Sequence, residues 1–465
     1  MSSEILGFTM FGVTMLALLL GFPVALTISG CALIFAIIGD YLEIFNLGML
    51  SLYPLRIFGV MKAETLVAVP LFVFMGVMLE KSNIALQLLE SMGKLFGKRP
   101  GGLGISVVIV GALLAASTGI VGATVVTMGL MSLPVMLKSG YSSRLASGLI
   151  CASGTLGQII PPSIVLVLLA DILQGANEQA SELKGELVPD DPVTAIDLFA
   201  GALFPGLLLV GLYLFYQMIL VWINPETCPP LIDKEGSDDS EFYEDIDLKE
   251  ILRVIASPLS LIIIVLGSIL TGIATPTESA AVGAVGAFCL AVLGKKFNLD
   301  ILKSVSRETT KISSMVFIIL IGASMFSLVF RGFGGDTVVE EFLMNLPGGP
   351  IAAMLLVMVL IFFLGFFLDF IEIIFVVVPI VGPILIAMEF NPLWLGVMIG
   401  INLQTSFLTP PFGFSLFYLR GVAPSEVETK DIYAGVAPFI LIQIVALILI
   451  WIFPQIVLWL PKVIF

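Results

Sequence analysis

The chain has 465 residues, 58% hydrophobic and only 12% charged, against about 25% charge in an average soluble protein; that is too few polar groups to cover a water-facing globule, which excludes a soluble enzyme. It contains no histidine, so Ser-His-Asp and Cys-His nucleophiles, His-based acid–base chemistry and ordinary His-bearing zinc sites are excluded as well. The net charge of −14 argues against nucleic acid, and much of the acid sits in two loops, 175–197 and 224–250.

No basic residue precedes the first apolar run, so residue 5 onward reads as a retained span and not as a cleaved signal peptide. A spanning helix needs roughly 20 apolar residues. The stretches 5–21, 23–39, 65–79, 142–174, 195–222, 255–273, 278–294, 312–330, 391–420 and 432–461 meet or approach this length and predict ten crossings. Two further stretches, 101–138 and 348–388, carry a polar or glycine break midway and read either as two spans or as one re-entrant hairpin. Four short amphipathic stretches, about 46–60, 83–97, 297–310 and 335–346, read as helices lying in the interface plane. If both long stretches are hairpins that return to their own side, 16 of the 21 lysines and arginines fall on one face, leaving Arg56, Lys62, Lys184, Arg331 and Lys462 opposite. The richer face is then cytoplasmic and both termini are external. The four cysteines (Cys31, Cys151, Cys228, Cys289) lack CxxC spacing and indicate neither a metal cluster nor a redox motif.

The segment Pro134 to Pro162 recurs without a gap as Pro383 to Pro411, pairing Pro134 with Pro383, Tyr141 with Phe390, Pro161 with Pro410 and Pro162 with Pro411 at an offset of 249. The same register sets Ser117-Thr118-Gly119 within a few residues of Gly365 to Asp369. One copy begins on the cytoplasmic side and the other outside, so the halves are inverted. Inverted repeats with paired broken helices are the sequence sign of a secondary transporter with a site near the bilayer midplane. Each Pro-Pro pair should unwind its helix, and the freed carbonyls persist at membrane depth only where they are buried in protein or line a hydrated site. Carbonyls and hydroxyls together make an oxygen-rich nest suited to a hard monovalent cation such as Na⁺, and the half-helix N-termini of the hairpins favour an anionic substrate.

Asp369 and Glu372 interrupt an otherwise uncharged run from Ile351 to Ile386. Asp369 is expected to join a cation site or lock the hairpin tip, and Glu372 to be a hydrated acid at the tip's aqueous end. Asp171 and Arg420, also 249 apart, are expected to be solvated at the outer ends of the broken helices. Thr275-Pro276-Thr277-Glu278 reads as a capped helix start. The absence of GxxxxGK[ST] leaves ATP without a site in this chain.

The stretches TGIATPTESAAVGA (271–284), ASGTLGQIIPPS (152–163), FLD (367–369) and TPPFG (409–413) together resemble the large membrane subunit, DctM type, of TRAP (tripartite ATP-independent periplasmic) transporters, over nearly the whole chain. The resemblance implies an all-α polytopic membrane protein with an inverted-repeat, elevator-type fold like that of the ion transporter superfamily, containing two re-entrant hairpins and two discontinuous helices. It implies scaffold helices and a first interfacial arm over 1–100, and the first hairpin with its broken helix over 101–174. An external insertion, scaffold helices, the acidic cytoplasmic loop and a second arm follow over 175–347, then the second hairpin with its broken helix over 348–420 and a C-terminal span over 421–465. By motif position, one Na⁺ site would draw on Ser117, Thr118, Gly119, Ser153, Gly154 and Gly157, and another on Gly365, Asp369, Gln404, Thr405 and Ser406. The substrate would lie against Ser117, Thr118, Gly157, Pro161, Thr409 and Pro410. The implied function is import of an organic acid anion, carboxylate or sulfonate, with two or more Na⁺ ions. The implied partners are a separate small four-helix membrane subunit (DctQ type) and a periplasmic substrate-binding protein (DctP type), at the cytoplasmic (inner) membrane of a bacterium or archaeon. The competing reading is a proton-coupled or facilitative anion carrier with Asp369 as the titrating group.

Overall fold

The computed structural model describes residues 3–82, 84–96, 99–186, 189, 192–230 and 248–465, without the side chains of 85, 94, 117, 118, 248–251 and 253. Most of the acidic 224–250 loop, and parts of the 175–197 insertion, therefore lie outside the described residues. All regular structure among the described residues is helical. Among the described residues seven helices are individually long and apolar enough to cross a membrane, or eight if Leu47–Lys62 and Glu64–Lys81, bent by 58°, make one span. The chain is thus a multi-pass membrane protein. Its lipid-facing surface is apolar, with Trp222, Leu293 and Phe417 each more than 70% exposed, while Ser153, Thr155, Gln158, Gln404 and Gln443 are wholly buried. A soluble protein has the reverse arrangement.

The N-terminal part comprises α1 (Ser3–Leu19), α2 (Val24–Tyr41), α3 (Tyr53–Lys62), α4 (Ala68–Lys81) and α5 (Ile84–Phe96). The first hairpin is α6 (Gly102–Thr118) and α7 (Val121–Lys138), and the first broken helix is α8 (Ser143–Thr155) and α9 (Ile164–Lys184). There follow α10 (Ala195–Ile223), α11 (Leu248–Leu270), α12 (Pro276–Leu293), α13 (Leu299–Gly332) and α14 (Gly335–Met344). The second hairpin runs through α15 (Gly349–Leu364), α16 (Phe370–Glu372), a π turn (Ile373–Val377) and α17 (Val378–Ala387). The second broken helix is α18 (Pro392–Leu408) and α19 (Phe414–Val422), and the chain closes with α20 (Thr429–Ile452) and α21 (Gln455–Ile464). The motif at 275–278 caps α12 as anticipated. Thr275 Oγ1 accepts from the Glu278 N–H at 3.2 Å, and Glu278 Oε2 accepts from the Thr275 N–H at 2.8 Å.

Two boundaries differ from the sequence reading. The stretch 297–310 is not a separate interfacial helix but the start of the 34-residue α13. Asn298 caps that helix through the Ile301 N–H, and no proline or glycine interrupts it before Gly322. The last stretch, 432–461, is two helices and not one span, because Pro454 cannot continue the ladder of α20.

Two bodies emerge from the packing. The helices α2, α4, α11, α12 and α13 pack on one another, as do both hairpins, both broken helices, α10 and α20. Helices α8 and α20 cross so closely that a Cβ on Gly148 would strike the Gly435 carbonyl, and one on Gly435 the Arg144 carbonyl. Polar contacts tie the helix ends together at both ends of the helices. Ser142 N–H donates to Thr227 O (3.1 Å), Gly101 N–H to Cys228 O (2.8 Å), and Arg144 pairs with Asp431 (3.2 Å). At the other end, Ser3 Oγ donates to Phe333 O (2.9 Å) and Thr277 Oγ1 to Glu64 O (2.8 Å).

Overpacking a closed interface costs about 1–3 kcal/mol or more. Gly148→Leu is accordingly expected to lower the melting temperature of the detergent-solubilised protein by several °C. Gly211→Leu, at a position with nothing within 4 Å of its Cβ, is expected to leave it unchanged in the same thermal-shift measurement.

Candidate transport site

The first hairpin reverses at Gly119, whose φ of +60° is in the left-handed region open to glycine and whose N–H donates to Ala115 O at 3.0 Å. Its two arms clasp the end of α8. A Cβ on Gly111 would collide with Ser153, one on Gly154 with Val125, and one on Gly157 would lie 3.2 Å from the Ala115 carbonyl. Gly119 itself abuts the start of α9 at Ile164. The structure therefore sets Ser153, Gly154 and Gly157 against the arms of the first hairpin and Gly119 against the start of α9; the side chains of Ser117 and Thr118, at the end of α6, lie outside the described residues.

In the second half, α15 meets the end of α18 so tightly that a Cβ on Gly365 would collide with the Ser406 hydroxyl. Thr405 Oγ1 donates to Ile401 O (2.8 Å), Ser406 Oγ to Leu403 O (2.7 Å), Thr409 Oγ1 to Thr405 O (2.8 Å) and Ser415 Oγ to Phe407 O (2.7 Å). A hydroxyl that gives its proton to a carbonyl keeps its oxygen lone pairs, so these side chains remain acceptors. Asp369 locks the tip: its Oδ1 accepts from the Phe370 N–H at 2.8 Å, and Glu372 Oε2 accepts from the Asp369 N–H at 3.3 Å. The expectation of a hydrated Glu372 is corrected, since this side chain is 5% exposed and closes the cap from inside. Among the described residues no three of His, Cys, Asp and Glu converge, which leaves neutral oxygens as the main donors for a cation.

Both helices break where the repeated prolines fall. A 3₁₀ turn over Leu156–Gln158 ends the α8 segment, α18 ends at Leu408, and Pro161-Pro162 and Pro410-Pro411 are both joined by cis peptides. Ser163 Oγ spans the first break to Gln158 O at 2.8 Å. Gly157 and Pro161 are buried there, while Thr409 and Pro410 are half-buried at the second break. Gln404 Nε2 lies 3.4 Å from Thr155 Oγ1. These two positions are 249 apart, and residues related by a pseudo-two-fold that also touch must flank its axis. Around that axis each hairpin reaches across: α7 packs on α8 of its own half and, through Gly122 and Gly129, on Tyr418 and Leu419 of α19, while α17 packs through Gly382 on Ala176 of α9.

Sequence reasoning missed Thr155 and Asn402. The offset of 249 could have found Thr155 from Gln404; nothing local marks Asn402, whose Nδ2 donates to Met358 O at 2.8 Å and ties α18 to α15. Asp171 is not simply solvated: it is half-buried and accepts from Thr65 Oγ1 at 3.1 Å. Arg420 is exposed, as expected, and donates to Val427 O. Arg331 joins α13 to the central body, donating to Gln179 Oε1 (2.7 Å) and Pro379 O (3.2 Å).

Residues 11–456 match the family described as tripartite ATP-independent periplasmic transporter, DctM component. The chain belongs to that family. It is a transporter permease and not an enzyme. It is 28% identical to the C4-dicarboxylate TRAP transporter large permease protein DctM of Rhodobacter capsulatus, covering 97% of this chain and 98% of that protein. It is 27% identical to the ectoine TRAP transporter large permease protein TeaC of Halomonas elongata (96% and 97%). It is also 27% identical to the isethionate TRAP transporter permease protein DctMQ of Oleidesulfovibrio alaskensis, where the match spans 95% of this chain and 64% of the relative. The fold is similar to that of the Alcanivorax borkumensis YdaH transporter, described as having an unusual topology. That match has a TM-score of 0.59 at 15% identity, over 86% of this chain and 88% of that one.

In this DctM permease the Gly365–Ser406 contact closes the second hairpin on its broken helix. Gly365→Ala is expected to cut proteoliposome uptake at least about tenfold, and Ser406→Gly in the same chain to restore part of it, as positions in direct contact couple in a double-mutant cycle.

Proposed function

We propose that this permease imports an organic acid anion, carboxylate or sulfonate, in symport with two or more Na⁺ ions. The observation that carries this reading is the meeting of the two breaks at Thr155 and Gln404, 3.4 Å apart and wholly buried. It puts two sets of main-chain and hydroxyl oxygens at one central place, clasped by both hairpin tips. Neutral oxygen donors suit Na⁺, and the first site would be built on Gly119, Ser153, Gly154 and Gly157 with Ser117 and Thr118. The second would use Gly365, Gln404, Thr405 and Ser406, with Asp369 holding the tip. Bound Na⁺ would offset the anion's charge. Each inward-moving charge gains about 2.3 kcal/mol per 100 mV, so two ions would drive net accumulation of a monoanion.

The hairpins and broken helices, with α10 and α20 packed on them, are proposed to slide as one body past the other helices in an elevator motion. The anion would arrive from a periplasmic binding protein, and a small DctQ-type membrane subunit would complete the tripartite system in the cytoplasmic membrane. The relative named DctMQ, of which this chain covers 64%, is compatible with a subunit fused in some members and separate in others. Relatives named for C4-dicarboxylates and isethionate support the anion class, and a relative named for ectoine, a zwitterion, shares the carboxylate; together they leave the member open.

The test is uptake by proteoliposomes containing all three components, with labelled succinate and isethionate as probes. A Na⁺ gradient at clamped pH is expected to drive accumulation. Accumulation driven by a pH gradient and indifferent to Na⁺ would instead establish the proton-coupled carrier, with Asp369 as the titrating group.

A further inference from the structure

The two halves share a frame but not its chemistry. Around the second break the side-chain donors are occupied: Asn402 donates to Met358 O, Ser406 to Leu403 O and Gln404 Nε2 to Thr155 Oγ1, while the Gln404 amide oxygen, an acceptor, has no partner among the described residues. The equivalents of Asn402 and Ser406 in the first half, 249 residues earlier, are Ser153 and Gly157. Ser153 Oγ is wholly buried and has no hydrogen-bond partner among the described residues. One position further along, Phe407 packs its ring 5.0 Å from Phe414 and 6.2 Å from Phe370, whereas its equivalent is Gln158. Gln158 is 0% exposed, and neither its amide nitrogen nor its amide oxygen has a partner among the described residues. Its main-chain carbonyl is pinned by Ser163, so the backbone is held while the carboxamide is left over.

A buried carboxamide with both ends unmade costs free energy that an apolar side chain would avoid, and position 407 shows that the fold accepts a phenyl ring at the equivalent place. The open N–H and O–H donors of the centre, on Gln158 and Ser153, thus lie on the first half, beside the buried Pro161-Pro162 break. None of the residues brought together there carries a positive charge, so an anion must be held by neutral N–H and O–H donors. A carboxamide supplies two N–H donors in fixed geometry and a hydroxyl one.

Building on the anion-import reading, we propose that Gln158, assisted by Ser153, is the residue that recognises the transported anion, its N–H₂ donating to a carboxylate or sulfonate oxygen. A site that presents hydrogen-bond donors rejects solutes that leave them unpaired. The first half then reads the solute, and Phe407 in the second half is an apolar wall.

The proposal is tested in two ways on the full tripartite complex in proteoliposomes. In a permease whose four native cysteines are replaced by alanine, Gln158→Cys is expected to be modified by 2-sulfonatoethyl methanethiosulfonate, itself a small organosulfonate. Phe407→Cys is expected to stay unmodified, and Ser153→Cys serves as a second reporter if Gln158→Cys does not fold. No modification at 158 or 153 in either the presence or absence of Na⁺, or equal modification at 158 and 407, would overturn the proposal. This readout needs no transport, so it stands apart from failure of Na⁺-driven uptake. For whichever of succinate and isethionate is taken up, Gln158→Leu is expected to raise KM roughly 10- to 100-fold, the loss of a hydrogen bond to a charged group, with Vmax within about threefold. An unchanged KM would show the carboxamide to be filler.

Discussion

Hydrocarbon offers no hydrogen bonds, so every peptide group at membrane depth needs a partner within the protein or a hydrated, buried place to stand. Two Pro-Pro pairs set into otherwise apolar helices violate that rule twice, and much of the remaining architecture can be understood as accommodating them. The hairpins exist at the depth where the breaks occur and wrap around them. Glycines 111, 154, 157 and 365 permit the close approach, and serine and threonine hydroxyls satisfy carbonyls near the gaps. What cannot be hidden in lipid is hidden in protein, and the hidden place is polar.

The inverted repeat makes the centre symmetric in backbone and unequal in side chains. Because each hairpin packs on segments from both halves, neither half is independent; the two hairpins, the two broken helices and the helices packed on them form one body, while α2, α4, α11, α12 and α13 form another. Polar ties between the two groups include Arg331 to Gln179 and Pro379, and Thr65 to Asp171. Relatives of this DctM component carry names for chemically different solutes on a similar chain, which suits a frame whose chemistry is altered by a few central side chains.

Much of the fold was legible from residues alone. Hydropathy marked most membrane helices, the prolines marked the breaks, and the interrupted stretches 101–138 and 348–388 each contain one reversal near their midpoint. Errors arose where the local signal was the same for two environments. A stretch with charges on one side, such as 297–310, looks alike whether it lies on a membrane or extends a long helix beyond it. An acid within one turn of a hairpin tip, such as Glu372, looks alike whether water or an N-terminal cap receives it. Asp171 was read as solvated because its partner, Thr65, is 106 residues away.

From the chain alone followed the solvent, the inversion and the positions of the four interruptions, because burial in lipid, proline's missing donor and a repeated spacing are local or periodic properties. Only the tertiary structure decided which polar atoms are used up and which are left open. Thr155 meeting Gln404, Asn402 held by Met358 and the Gln158 carboxamide left without a partner among the described residues depend on distances across helices, and no side chain carries in its own neighbours along the sequence the identity of the atom that will face it.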